Sequence, residues 1–129
     1  MRIIIVGVCA SGTTTLARHL QHRGYDAHTC AQEHSEVPTL WQAAKPDVLI
    51  CLDASMETIR RRRPWVMWGE TYLDVERRRL AHARAHADLV LPTDDLTVDE
   101  MVERVVRFLE ERRKQGSTGS VDGGSAGPI

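Results

Sequence analysis

The N-terminal segment constrains the fold of this chain more than any other part of the sequence. Residues 2–8 read RIIIVGV, a short β-branched run typical of a strand that is buried on both faces. Gly7 ends the strand and Gly12 follows five residues later, immediately before a segment whose apolar residues have helical spacing. A strand, a glycine-bounded loop and a helix in this order indicate the beginning of an α/β fold.

The rest of the sequence continues the alternation of strands and helices. DVLICL at 47–52 is the clearest further strand, and weaker strands are predicted at 25–29 and 87–91. Helices are predicted after Ser55, over 71–87 and after Thr97, with a short one at 39–44. We therefore predict an α/β three-layer sandwich, with a short, mainly parallel sheet of about four strands flanked by helices.

Length and composition suggest one ordered domain followed by a tail. At 129 residues the chain has the size of a single domain, which we assign to residues 1–115. Gly116 is expected to end the last helix. Residues 116–129 read GSTGSVDGGSAGPI and are predicted to form a disordered Gly/Ser-rich tail.

Charge and hydropathy exclude several classes of protein. Seventeen basic and 18 acidic residues give a net charge of −1, which makes a nucleic-acid partner an unfavoured prediction. No apolar run approaches the length of a membrane-spanning helix, so we expect no membrane partner. Three cysteines and the absence of secretory features favour reduced thiols and a cytoplasmic location.

The loop between the two glycines has the composition of a phosphate-binding loop. Glycines let the backbone turn sharply around an anion, and the N-terminus of the following helix adds its positive end. The segment fits the G-x-x-x-x-G-K-[ST] pattern except at Thr13, which stands at the lysine position. Thr14 matches the position of the magnesium-binding hydroxyl. The predicted nucleotide-binding residues here are Gly7, Ala10, Ser11, Gly12, Thr13, Thr14 and Thr15. A strand–helix turn without a ligand is the alternative.

Three stretches of the sequence resemble P-loop small-molecule kinases such as the adenylate and shikimate kinases. They are GVCASGTTTLARHL, DVLICLDASMETIRRRR and ADLVLPTDDLTVDEMVERVVRFLEE. The resemblance implies a parallel sheet between helices and the magnesium-dependent transfer of a phosphoryl group from ATP to a small acceptor. Two departures weaken it: Thr13 replaces the lysine, and no hydrophobic strand ending in Asp lies between residues 30 and 47.

The resemblance also implies roles for side chains outside the loop. Asp53 is the best substitute magnesium ligand and a catalytic candidate, with a turn or helix-capping role as the alternative. Arg60 is a candidate for nucleotide binding and Arg63 for catalysis, although a solvated helix end explains the run of four arginines equally well. Glu33 is a candidate for orienting an acceptor hydroxyl, or part of an exposed polar loop.

These features support two main hypotheses of function. The first is a cytoplasmic protein that binds ATP and Mg²⁺, or another nucleotide such as GTP, with phosphoryl transfer to an unidentified small acceptor weakened or lost. The second is a kinase-like binding module that senses a nucleotide or docks a partner, including a second copy, with Trp65 and Trp68 as anchors. Contact with RNA through the arginine-rich residues 60–84 is a third, less favoured hypothesis.

Overall fold

The first strand lies at the centre of the sheet. In a computed structural model of the protein, β1 (Arg2–Gly7) pairs in parallel on one edge with β2 (Asp26–Thr29) and on the other with β3 (Val48–Asp53). β4 (Leu89–Pro92) pairs in parallel with β3, giving the order β2-β1-β3-β4. All four described strands therefore end at the same edge of the sheet, and the loops that follow β1, β3 and β4 meet there.

Helices cover both faces of this sheet, as predicted. α1 (Thr13–His22) and α4 (Val98–Ala126) pack with the side chains of one face, and α2 (Met56–Arg62) and α3 (Glu70–His86) pack with those of the other. Successive residues of a strand point to opposite faces, so the continuous apolar run of β1 contributes to both cores. The fold is therefore α/β in three layers around an all-parallel, four-stranded sheet.

The segment between β2 and β3 contains no strand, which confirms the prediction for residues 30–47. Its described backbone forms two short 3-10 turns, Gln32–His34 and Leu40–Ala44. Buried Trp41, in the second turn, donates from Nε1 to Nδ1 of His82 on α3 at 3.1 Å. This contact fixes the segment against α3.

The predicted helix starts at Ser55 and Thr97 are confirmed by their hydrogen bonds. The hydroxyl of Ser55 accepts from the Thr58 N–H at 3.2 Å and so caps α2. Before α4, Thr97 and Glu100 form a reciprocal capping box: the Thr97 N–H donates to Glu100 at 2.8 Å, and the Glu100 N–H donates to Thr97 at 3.1 Å. These caps satisfy N–H groups that would otherwise lack partners.

The structure describes the backbone of residues 1–126 and the side chains of residues 1–115. Helix α4 continues to Ala126, past Gly116, where the sequence predicted its end, because a glycine permits a helix to stop without forcing it to. The disordered tail over 116–129 stays a prediction, since residues 127–129 and the side chains after residue 115 lie outside the description. Within the described residues, no helix combines the length and apolarity needed to cross a bilayer.

Candidate functional site

Residues 7–14, which we call the glycine loop, form a tight turn between β1 and α1. The N–H of Ser11 donates to the carbonyl of Val8 at 3.1 Å, and the Ser11 hydroxyl donates to the same oxygen at 2.6 Å. Ala10 and Gly12 both have positive φ, at 63° and 110°. Positive φ is costly for a residue with a Cβ, so the geometry at Ala10 is held by its surroundings.

Gly7 is required at the start of the loop because there is no room for a side chain. A Cβ on Gly7 would lie 2.6 Å from the Ser11 hydroxyl oxygen and 2.7 Å from the Leu52 carbonyl oxygen. Such distances are well inside van der Waals contact. The glycine therefore lets the loop pack closely against the end of β3, which explains the first of the two glycines.

No side chain caps the first turn of α1. The N-cap residue is Gly12, which has no side chain to accept from this turn, and no acidic residue lies in the turn. The bond from the Leu16 N–H to the Gly12 carbonyl, at 2.8 Å, is the first of the helix. The N–H groups of residues 13–15 are therefore donors available to an anion, reinforced by the positive end of the helix.

A cavity of about 270 Å³, which we call the loop cavity, opens above these donors. One side is polar and comes from the glycine loop and the end of α2, and another is apolar and comes from the loop after β4 and the start of α4. Its lining residues are Ala10, Ser11, Gly12, Thr13, Thr14, Thr15, Arg62, Arg63, Thr93, Leu96, Thr97, Val98 and Met101. Six of the seven predicted nucleotide-binding residues of the loop therefore face one cavity, and Gly7 supports them from behind.

Arg62 fixes the shape of the loop cavity. Its Nη1 donates to the Ala10 carbonyl at 2.8 Å and to the Thr93 hydroxyl at 3.1 Å, and its Nη2 donates to the Thr93 carbonyl. The Thr93 hydroxyl donates in turn to the Ser11 carbonyl at 2.7 Å. Burial lowers the pKa of Arg62, and neighbouring Arg61 lowers it further. The run of four arginines does not indicate which of them anchors the loop. Arg62 was therefore not identified from the sequence.

Arg63 and Arg60, the two arginines named from the sequence, lie in different places. Arg63 is exposed, lines the loop cavity, and has its Nη1 2.9 Å from the sulfur of Cys9. It brings a positive charge to the loop that lacks the lysine. Arg60 does not line the cavity, and its Nη2 lies beside Gly69 at the start of α3.

Asp53 lies outside the loop cavity. It ends β3 and borders a second cavity of about 230 Å³, the Asp53 cavity, whose other lining residues are Val8, Cys51, Leu52, Arg77, Leu80 and Arg84. Its Oδ1 accepts from Arg77 Nε at 3.3 Å and from the Ala54 N–H at 3.0 Å, and its Oδ2 accepts from Arg84 at 3.4 Å. Both carboxylate oxygens therefore have partners on this chain, and the structure does not bring Asp53 together with Thr14 in one cavity.

Two carboxylates lie near the Cys9 end of the glycine loop. The Cys9 N–H donates at 3.0 Å to Oε1 of Glu76, a residue of α3 with 0 % exposure. Glu33, in the first 3-10 turn, is partly buried, and its carboxylate adds to the negative field at Cys9. Burial raises the pKa of both Glu76 and Glu33. Glu33 therefore lies near the Cys9 end of the glycine loop, and it is not among the residues that line the loop cavity.

Glu76 was missed in the sequence, although a signal for it exists. It falls three residues after Leu73 and four before Leu80, so it belongs to the apolar stripe of α3 and is buried with those leucines. A carboxylate in such a stripe costs free energy unless it has partners. Such a position indicates a polar group retained for a purpose other than packing.

The two tryptophans after α2 differ in environment. Trp65 is 71 % exposed and its neighbour Met67 is 96 % exposed. Trp68 packs against Tyr72, with ring centroids 5.0 Å apart, and joins the core between the sheet and α3. Only Trp65 of this pair is therefore free to contact a ligand or another chain.

A comparison with models of protein families gives no match, and a comparison with curated proteins gives no relative. We therefore infer the function from the geometry of the loop cavity and of the charged residues around it.

Proposed function

We propose that the chain binds the phosphate groups of a nucleotide, ATP or GTP, in the loop cavity and is related to the P-loop small-molecule kinases. The observation that carries the proposal is the set of uncapped N–H donors in the first turn of α1, which open onto a cavity that also receives Arg63. Backbone donors, a helix N-terminus and a guanidinium together favour a phosphate over other anions.

The opposite side of the loop cavity suits the nucleoside part of such a ligand. Leu96, Val98 and Met101 supply apolar surface within the same cavity as the loop donors. A ligand with its phosphates on the glycine loop would therefore lay its uncharged part against the start of α4. Three free cysteines support the cytoplasmic location that we propose for this activity.

The residues present fit a magnesium ion only in part. Thr14 lines the cavity, and its hydroxyl would hold the ion together with the ligand's phosphates, where the ion would neutralise their charge. Asp53 is a poorer candidate, because Arg77 and Arg84 already contact its carboxylate and would repel a cation. Any phosphoryl transfer would then rely on positioning by the loop and on the charge of Arg63.

A binding module without turnover is the second candidate, and two observations favour it. Thr13 supplies no charge, and the loss of such a contact on a transferring phosphate costs on the order of 10²–10³ in rate. Exposed Trp65 and Met67 offer anchors for a partner or a second copy of the chain. RNA contact is less favoured, because several arginines of residues 60–84 are engaged within the chain: Arg61, Arg62, Arg77, Arg79 and Arg84.

Calorimetric titration of the full chain with ATP and GTP, with and without Mg²⁺, tests the proposal. We expect magnesium-dependent binding at micromolar to millimolar concentrations. Thr13→Lys, which restores the missing charge, should tighten ATP binding about tenfold, since a charge-assisted contact contributes roughly 1.5–3 kcal/mol. Thr39→Lys, at an exposed position that does not line the loop cavity, is the matched control and should have no effect.

The outcomes separate the two candidates. Binding accompanied by phosphate release or transfer, strengthened in Thr13→Lys, supports an enzyme. Binding without turnover in either protein supports the binding module. No binding of either nucleotide by the wild-type chain or by Thr13→Lys contradicts nucleotide binding and leaves a module that docks a partner.

A further inference from the structure

Glu76 carries the one buried side-chain oxygen that lacks a hydrogen-bond partner among the residues whose side chains are described. This atom is Oε2, while Oε1 accepts from the Cys9 N–H of the glycine loop at 3.0 Å. A buried carboxylate with one oxygen unpaired costs free energy of folding. Its contact with the loop, and not its packing, is the feature that distinguishes it from the leucines on either side of it.

The two ends of the glycine loop are therefore in different electrostatic states. Residues 10–15, which run from the glycine loop into α1, line the open loop cavity, and the first turn of α1 is uncapped. At Cys9, which is not among the cavity's lining residues, the N–H is already taken by the Glu76 carboxylate. An anion of the chain itself thus occupies one end of a row of donors that would otherwise be available to a ligand.

We propose that Glu76 limits the phosphate length that the glycine loop accepts, so that the site favours a nucleoside diphosphate over a triphosphate. This inference rests on the proposed function. A diphosphate placed on the donors of residues 13–15 avoids Glu76. A further phosphate that extends along the loop towards Cys9 finds this N–H already engaged, and the charge of the buried Glu76 carboxylate repels it.

The charged groups around Glu76 do not cancel this effect. Glu33 and His34 face it from the first 3-10 turn, Arg63 from the end of α2 and Arg79 from its own helix. Arg79 is engaged with the carboxylate of Glu36, and the His34 ring lies 3.6 Å from the carboxylate of Glu33. Arg63 is the cation beside both Cys9 and the cavity, and it would stabilise either nucleotide.

Calorimetric titration with ADP and ATP in the presence of Mg²⁺ tests the inference on the full chain. Wild-type protein should bind ADP about tenfold more tightly than ATP. Glu76→Gln keeps an oxygen for the Cys9 N–H but removes the charge, and it should reduce this ratio to near one by tightening ATP. Glu70→Gln, at an exposed position on the same helix, is the matched control and should leave the ratio unchanged.

A pH series on wild type and Glu76→Gln gives an independent measurement. Because burial raises the pKa of Glu76, this carboxyl gains its proton at a higher pH than an exposed glutamate does. The difference in ADP preference between the two proteins should therefore shrink as the pH falls. Protonation of the nucleotide acts on both proteins alike and does not contribute to this difference.

Each outcome has a distinct meaning. An ADP-to-ATP ratio that is the same in wild type and Glu76→Gln contradicts the inference and leaves the proposed function standing. A failure of wild type and both variants to bind either nucleotide contradicts both. If Glu76→Gln does not fold, the wild-type ratio decides: a ratio of one or less overturns the inference, and tighter binding of ADP than of ATP supports it.

Discussion

The loop cavity and the Asp53 cavity are similar in size but differ in what their polar groups already contact. In the loop cavity, the first-turn N–H groups of α1 have no cap, and Arg63 is exposed. In the Asp53 cavity, the carboxylate of Asp53 pairs with Arg77 and Arg84, and the remaining walls are largely apolar. The difference teaches that charged residues at the end of a strand do not by themselves mark a ligand site. Donors that the chain leaves unsatisfied are the better indicator.

The largest expected effect is at Gly7, which supports both cavities. Gly7→Ala would force its Cβ against the Ser11 hydroxyl and the Leu52 carbonyl, and should lower the free energy of unfolding by about 3 kcal/mol. Gly24→Ala is the control: its φ is +92°, but nothing lies within 4 Å of its Cβ position. It should cost only about 1–2 kcal/mol. Urea denaturation of both variants measures the difference, and equal losses would contradict the packing account.

Substitutions of Arg63 and Arg84 compare the contributions of the two cavities to ATP affinity. Arg63→Ala should weaken ATP binding about tenfold, because a charge-assisted contact to phosphate contributes roughly 1.5–3 kcal/mol. Arg84→Ala removes the same charge from the Asp53 cavity and should leave the ATP affinity unchanged. Calorimetry of the two variants measures both affinities. A larger loss of ATP affinity in Arg84→Ala than in Arg63→Ala would indicate that the nucleotide binds in the Asp53 cavity and would contradict the account.

The two helix caps give a smaller and matched pair of effects. Thr97 begins α4 beside the loop cavity, and Ser55 begins α2 after Asp53. Replacement of either by Ala should lower the free energy of unfolding by about 1 kcal/mol. Only Thr97→Ala should also alter nucleotide affinity, since only Thr97 lines the loop cavity. Thermal unfolding with and without ATP measures both quantities, and a ligand effect limited to Ser55→Ala would be contrary to the account.

Asp94 affects the pH dependence of stability at acid pH. Burial alone would raise the pKa of Asp94, but hydrogen bonds from the Thr58 hydroxyl and the Ser55 N–H outweigh it and lower the pKa to about 2. An unfolded Asp has a pKa of about 3.9, so this stabilisation is complete above about pH 4 and is lost as the pH falls towards about 2. Asp94→Asn should remove this contribution to the loss of stability at acid pH. Unfolding curves of wild type and variant that stay parallel across this window would disprove the role.

Local features of the fold were predictable from the sequence, because they depend on neighbouring residues. The β-branched run of β1, the glycine loop, the caps at Ser55 and Thr97 and the absence of a strand over 30–47 are all patterns within short segments. The gathering of residues 10–15 around one cavity also follows from a loop between a strand and a helix. Short-range rules therefore located the loop correctly.

The long-range pairings could not be predicted in this way. Asp53 meets Arg77 and Arg84 from α3, and this depends on how that helix crosses the sheet. The assignment of Arg62 to the loop depends on the angle at which α2 ends. Glu76 was detectable only as a carboxylate in an apolar stripe, and its contact with Cys9 joins residues 67 positions apart. The roles of Asp53, Glu33 and Arg60 in a reaction stay predictions.

The most direct test of the central claim is a ¹H–¹⁵N correlation spectrum of the full chain titrated with ADP and Mg²⁺. The account predicts that the amide signals of residues 13–15 move together and saturate, because these N–H groups become hydrogen-bonded to phosphate. The amides of Asp53 and Ala54, at the Asp53 cavity, should stay in place. Shifts centred on Asp53 and Ala54, or no saturable shift at residues 13–15, would contradict the claim that the start of α1 binds phosphate.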